Sequence, residues 1–113
     1  MSPPQRGEIW LVDLGLAANV RPALVLSVPV ADSDRALATL VPHTTSLRAS
    51  RFEVILNVPF LRQGAFDVQG LVTVPHAKLI RRLGRLTPEQ LGNVEVRVCA
   101  WLGLRVLDPK AGA

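Results

Sequence analysis

Apolar residues run along this chain in short blocks separated by Gly, Pro and polar clusters. Ile9 to Leu14 is rich in β-branched and aromatic residues and ends at Gly15, which predicts a first strand. Gly15 to Val20 predicts a loop. Pro22 has no N–H to give to a sheet ladder, so it is expected to open the next strand and not to lie inside it. Ala23 to Val28 then reads as a buried strand stopped by Pro29, and Asp32-Ser33-Asp34 as a turn. Ala36 to Val41 predicts a third strand stopped by Pro42, followed by a polar, basic loop from His43 to Arg51. Phe52 to Val58 and Leu71 to Val74 predict a fourth and a fifth strand, and Arg82 to Leu86 a short final one. Between them, Leu61 to Asp67 is expected to cross over with little regular structure, and Ala77 to Ile80 to form a single helical turn. Short strands at this spacing predict a small β barrel or sandwich.

The C-terminal segment carries two conflicting signals. Val94-Glu95-Val96-Arg97-Val98 alternates with the period of a strand. Thr87-Pro88-Glu89-Gln90, however, has the form of a capping box with Pro at the first helical position. Leu91, Val94, Val98 and Leu102 fall on one helical face, and Gly103 sits where a helix-ending glycine belongs. Start, face and stop agree, so the prediction is a helix over Pro88 to Leu102. The expected fold class is mainly β with a C-terminal helix.

A length of 113 residues suits one domain spanning 1–113, with 1–5 and 105–113 expected as flexible ends. Hydrophobic residues at 49% against 19% charged support a packed core and argue against disorder. Eleven of the thirteen basic residues are Arg, and the net charge of +4 makes an anionic partner plausible, although a GC-rich genome alone also produces arginine. Cys99 is the sole cysteine, so neither an internal disulfide nor a zinc set can form. The N-terminus lacks the apolar core of a signal peptide and no run is long enough to span a membrane, so the expected location is cytoplasmic.

His43 and His76 stand without Cys or carboxylates at ligand spacing, and no metal or other cofactor is expected. Arg21 is more informative, because Pro22 pins it at a loop–strand junction. A fixed guanidinium beside a loop makes a phosphate clamp; it is equally what a solvated strand-edge arginine looks like. His43-Thr44-Thr45-Ser46 offers hydroxyls to a phosphoryl oxygen or to ordinary turn chemistry. Arg48 and Arg51 lie in the same loop and either track a nucleic-acid backbone or keep the loop soluble. With no Tyr, three Phe and two Trp, mostly expected in the core, base stacking is not foreseen, and binding is expected to rely on phosphate and polar contacts.

Taken in order, Arg6-Gly7-Glu8-Ile9-Trp10-Leu11-Val12-Asp13-Leu14, Arg21-Pro22-Ala23-Leu24-Val25-Leu26-Ser27 and Val41-Pro42-His43-Thr44-Thr45-Ser46 resemble the MazF/PemK toxin family. Phe52-Glu53-Val54, Gln69-Gly70-Leu71-Val72-Thr73-Val74, Lys78-Leu79-Ile80 and Gly84-Arg85-Leu86-Thr87-Pro88-Glu89-Gln90 continue the resemblance, which covers about Arg6 to Leu104. It implies an SH3-like small β barrel working as a homodimer. It further implies the toxin of a type II toxin–antitoxin pair, a metal-independent endoribonuclease of single-stranded RNA or mRNA. In that chemistry the 2′-OH attacks the adjacent phosphorus and leaves 2′,3′-cyclic phosphate and 5′-OH ends. A cognate antitoxin is the implied protein partner.

By the same resemblance Arg21 and Thr44 match the catalytic arginine and threonine, with Arg21 also the candidate donor to the leaving 5′-oxygen. Asn19, Thr45, Ser46, Arg48, Arg51 and Gln69 are expected to contact RNA. The sequence departs from the family in its loop before Arg-Pro. Gly15-Leu16-Ala17-Ala18-Asn19-Val20 is short and apolar and holds no carboxylate. Glu8, Glu53 and His43 stand as substitute acid or base groups. Two other readings compete: a CcdB-like gyrase-binding toxin on the same fold, and a non-catalytic nucleic-acid-binding module.

Overall fold

A computed structural model describes residues 3–15 and 19–105. Among the described residues, seven strands are followed by one helix. They are β1 (Glu8–Asp13), β2 (Val20–Val25), β3 (Leu37–Thr44), β4 (Glu53–Ile55), β5 (Ala65–Asp67), β6 (Val72–Pro75), β7 (Leu79–Arg85) and α1 (Pro88–Leu102). Short helical turns occupy Val68–Gly70 and His76–Lys78. All pairings are antiparallel in the order β4-β5-β3-β2-β1-β7, with β6 on β3. The result is a barrel-like wrapped sheet that hydrogen bonding does not close, because β4 and β7 form its two ends.

The wrapped sheet buries both of its faces. On one side Ile9, Leu24, Val41 and Phe66 pack with Val94 and Val98 of α1. On the other, Trp10, Val12, Ala23 and Leu40 pack with Val74 and Leu79. Successive residues of a strand point to opposite faces. A strand buried on both faces therefore reads as a continuous apolar run, as Ala23-Leu24-Val25 does.

The C-terminal conflict resolves as a helix with the predicted bounds. The Thr87 side chain accepts from the Gln90 amide at 3.1 Å, and the Gln90 side chain accepts from the Thr87 amide at 3.0 Å. Gly103 ends α1 in the left-handed region at φ 69°, its N–H bonding to the Cys99 carbonyl. Val94 and Val98 are buried and Leu91 packs against them, whereas Leu102 is exposed. Arg6 ties the opening segment to this helix through an ion pair with Glu95 and a hydrogen bond to the Leu26 carbonyl.

The largest corrections concern the prolines. Pro22 lies inside β2, opposite Leu11, and Pro42 lies inside β3, opposite Ala23. Both are tolerated because the ladder changes there. The β2–β3 pairing covers only Ala23 to Val25, and β3 goes on to pair with β5 from His43. Proline is confined to such edges and irregularities. Residues 26–28 fall outside β2, with Val28 exposed. The fourth strand shrinks to Glu53–Ile55, and the expected crossover contains β5. The last strand begins earlier than expected, at Leu79, and the helical turn before it is His76–Lys78. The flexible ends expected at 1–5 and 105–113 lie mostly outside the described residues; within them Pro4 is buried and the Gln5 amide donates to Glu8.

Candidate active site

Where β2 and β3 part company, the sheet opens beside Arg21. Pairing with Val12 of β1 fixes its position in β2. Arg21 lines two cavities. One, of about 420 Å³, is walled by Leu14, Pro42, Val72 and Val74, with Asp13 and Lys78 adding charge. The other, of about 480 Å³, holds His43, Thr45, Phe60 and Arg62 against Leu11 and Leu83.

His43 is the best-defined group in the second cavity. Only 5% of it is exposed, and its ring meets Phe66 edge-on with centroids 5.1 Å apart. Burial, and after it the positive charge of Arg21, lower the imidazole pKa below its ordinary value. Desolvation disfavours the charged form and a neighbouring cation does the same, so the ring is neutral at neutral pH. Successive residues of β3 point to opposite faces, and His43 and Thr44 sit in different surroundings. Thr44 pairs with Ala65, its Oγ1 accepts from the Ser46 amide at 3.1 Å, and it lines neither of the Arg21 cavities.

Gly64 permits this packing. A Cβ at that position would lie 2.2 Å from the Thr44 carbonyl oxygen and 2.9 Å from His43 Cε1. Only a residue without a side chain lets the β5 entry approach β3 so closely.

The other two acid–base candidates are held by the scaffold. Glu8 is buried and accepts from the Gln5 amide, the Trp10 indole N–H and Arg82. Burial alone would raise its pKa, but these hydrogen bonds and the Arg82 charge together lower it. Glu53 accepts from the Arg48 and Ser50 amides and so folds the 48–53 turn. Neither glutamate lines an Arg21 cavity.

The expected RNA contacts scatter. Thr45 lines the His43 cavity and, with Arg62, a neighbouring one of about 560 Å³. Asn19, at φ 57°, hydrogen-bonds with Leu14 and Gly15 across the loop base, two residues before Arg21. Gln69 is exposed beside Gly70, which lines the Asp13 cavity. Ser46 and Arg48 are exposed outside both Arg21 cavities, and Arg51 stacks over Phe52 at 4.5 Å. Four further residues of the site were not anticipated: Asp13, Phe60, Arg62 and Lys78. Asp13 pairs with Val20 in the hairpin that carries Arg21, a register the β1–β2 spacing contains. Arg62 comes from the Leu61 to Asp67 segment expected as a plain crossover, and Phe60 directly precedes it.

The site thus joins a positioned guanidinium, a neutral imidazole and the Thr45 hydroxyl, a set suited to proton transfer and to stabilising charge on a phosphoryl group. Among the described residues no three His, Cys, Asp or Glu side chains gather as a metal site. No helix among them is long and apolar enough to cross a membrane.

Comparison with known proteins bears on the fold and the family. The chain is 35% identical over 86 residues to the probable endoribonuclease MazF5 of Mycobacterium tuberculosis, covering 74% of this chain and 78% of that protein. A mycobacterial endoribonuclease solved in complex with its cognate antitoxin superposes with a TM-score of 0.77 at 23% identity, over 95% of this chain and 100% of that one. MazF from a MazE–MazF crystal structure of Deinococcus radiodurans gives 0.78 at 21%, over 93% and 100%. Residues 5–102 match the sequence family described as PemK-like, MazF-like toxins of type II toxin–antitoxin systems, and the chain belongs to that family.

Proposed function

We propose that this chain is the toxin of a toxin–antitoxin pair and acts as an endoribonuclease on single-stranded RNA, without a metal ion, from the cavity that Arg21 shares with His43. The observation that carries the proposal is this shared cavity within a family whose relatives are named endoribonucleases.

In the proposed reaction the neutral His43 imidazole takes the proton from the 2′-OH as that oxygen attacks the adjacent phosphorus. Arg21 stabilises the charge that gathers on the non-bridging oxygens, an electrostatic contribution worth roughly 3–4 kcal/mol where a single such donor has been removed. The 5′-oxygen departs as an alkoxide, a strong enough base to take a proton from a guanidinium. The ends formed are a 2′,3′-cyclic phosphate and a 5′-OH. Thr44 lies outside this cavity, between His43 and Thr45 that line it, and supplies a second donor to the strand where it leaves the cavity: an oxygen that accepts from the Ser46 amide keeps its own proton to give. Thr45 lines the His43 cavity and contacts the strand there, while Asn19, bonded to Gly15, and Gln69, next to Gly70, contact it beside the Asp13 cavity.

A cognate antitoxin, such as the solved mycobacterial relative carries, would silence this chain by covering the same cavity. The working form is a homodimer in the cytoplasm. The test is incubation of the purified protein with a diverse single-stranded RNA pool in excess EDTA. Cleavage to 5′-OH ends that a polynucleotide kinase can label is the expected result, and Arg21→Ala should abolish it. An intact pool would overturn the reading.

A further inference from the structure

Phe60 is unusual among the three phenylalanines. Phe66 and Phe52 are buried, whereas Phe60 is 44% exposed, and its ring lines the cavity that holds Arg21, His43 and Arg62. Leaving such a ring nearly half in water forgoes part of its hydrophobic burial, so a solvent-facing Phe in a cavity wall calls for a reason.

Its seat is also specific. A Cβ added to Gly84 of β7 would lie 2.5 Å from Phe60 Cζ, 2.6 Å from Cε1 and 3.0 Å from Cε2. The far end of the ring therefore fills the space that any side chain at position 84 would take. Gly84 pairs with Ile9 of β1, so this seat is part of the sheet itself. The ring is held at its tip by rigid backbone while the rest remains open to the cavity.

The cavity wall has two parts. Phe60, Leu11 and Leu83 supply an apolar side, and Arg21 and Arg62 supply two guanidinium groups. None of the residues lining it is acidic. An aromatic plane beside paired cations matches one nucleotide unit, base against ring and phosphate against guanidinium.

We propose that Phe60, seated on Gly84, is the platform on which a base of single-stranded RNA stacks beside the phosphate held by Arg21, making it a specificity-determining residue. The proposal rests on RNA being the substrate, and reverses the expectation that this chain binds RNA without stacking. Stacking tolerates any base to some degree, so the platform fixes the register of the strand and favours purines at that position.

The test uses the intact protein and 2′-deoxy oligonucleotides, which lack the attacking hydroxyl, carrying fluorescent 2-aminopurine at each position in turn. Stacking on Phe60 should change the fluorescence at one position. Phe60→Leu should remove that change and raise KM for RNA about 5- to 150-fold, the range that corresponds to losing one base–aromatic stack. Its kcat should stay within a few-fold, and its cut-site preference should broaden. Phe60→Trp should keep the signal, and Gly84→Ala, which displaces the ring without removing it, should weaken it. Circular dichroism of each variant separates a lost platform from a lost fold, and the Trp variant decides the case if the Leu variant fails to fold. Wild-type KM, fluorescence and cut-site preference in a folded Phe60→Leu would overturn the proposal. So would normal cleavage together with loss of antitoxin binding, which would assign Phe60 to a protein contact. A wild-type protein that changes the 2-aminopurine signal but cuts no RNA would sink the nuclease reading and leave the platform standing.

Discussion

The Arg21 guanidinium and the His43 imidazole act on one another across one cavity, and burial with this charge keeps the imidazole neutral at neutral pH. If His43 is the base, kcat/KM for RNA should be flat near pH 7 and fall as pH drops through the folded pKa, which lies below 6.5. The sign for stability is the same. A depressed histidine pKa means that the unfolded chain binds the proton first, so stability is full above the ordinary value and is lost as pH falls toward the folded one. Following the His43 ring protons by NMR reads the midpoint directly. Arg21→Gln should move it upward, and an unchanged midpoint would show that the two groups are not coupled.

Glu8 should behave as scaffold and not as a base. Glu8→Gln keeps the shape but removes the charge that the Gln5 amide, Trp10 and Arg82 hold in place. Hydrogen bonds to charged groups contribute about 1.5–3 kcal/mol each in favourable cases, and the exposure of Arg82 argues for the lower end of that range. A fall in Tm of about 10 °C at pH 7 corresponds to roughly 2 kcal/mol in a domain of this size. Because the folded carboxyl is depressed, its contribution is present above the ordinary value of 4.5 and is lost as pH falls through the folded pKa. The difference between the Glu8→Gln and wild-type melts should therefore close as pH falls below 4.5 and through the folded pKa. RNA cleavage at 25 °C should survive, and its loss in a folded variant would return Glu8 to the site.

What the sequence made legible depends on how local the signal is. The helix was readable to the residue because Thr87, Gln90 and Gly103 act on backbone groups within a few positions. Arg21 stood out only through the Pro22 beside it and the motif around it. The course of β2 and β3 was not, because whether Pro22 or Pro42 can sit in a strand depends on where the neighbouring ladder ends. The role of Phe60 was least accessible. It depends on an absent side chain at Gly84, twenty-four positions further along the chain, and periodicity carries no trace of such a contact. The loop 16–18, whose lack of a carboxylate raised the question of the base, lies outside the described residues.

The capping box offers a calibrated test of the helix. Thr87→Ala removes the acceptor for the Gln90 amide and frees the reciprocal bond, at a cost of about 1 kcal/mol. Gln90→Ala should cost less, and the double variant should cost less than the two singles added, since both break one reciprocal unit. Urea unfolding midpoints with unchanged m-values would measure this. Strict additivity would show that the two bonds are independent.

Gly64 and Gly92 should respond to the same substitution with opposite signs. At Gly64 a methyl group would collide with the Thr44 carbonyl and the His43 ring, so β5 must withdraw from β3 at the two residues that border the site. Overpacking of this kind costs roughly 1–3 kcal/mol, and the rigid carbonyl at 2.2 Å places Gly64→Ala at the upper end. Gly92 lies inside α1 with nothing within 4 Å of an added Cβ. Gly92→Ala should therefore gain about 0.5–1 kcal/mol from helix propensity alone. Thermal melts of the pair would check the signs. Cleavage assays on the folded fraction should show Gly64→Ala impaired well beyond its loss of stability and Gly92→Ala unchanged. Wild-type activity in Gly64→Ala would mean that the positions of His43 and Thr44 do not limit the reaction.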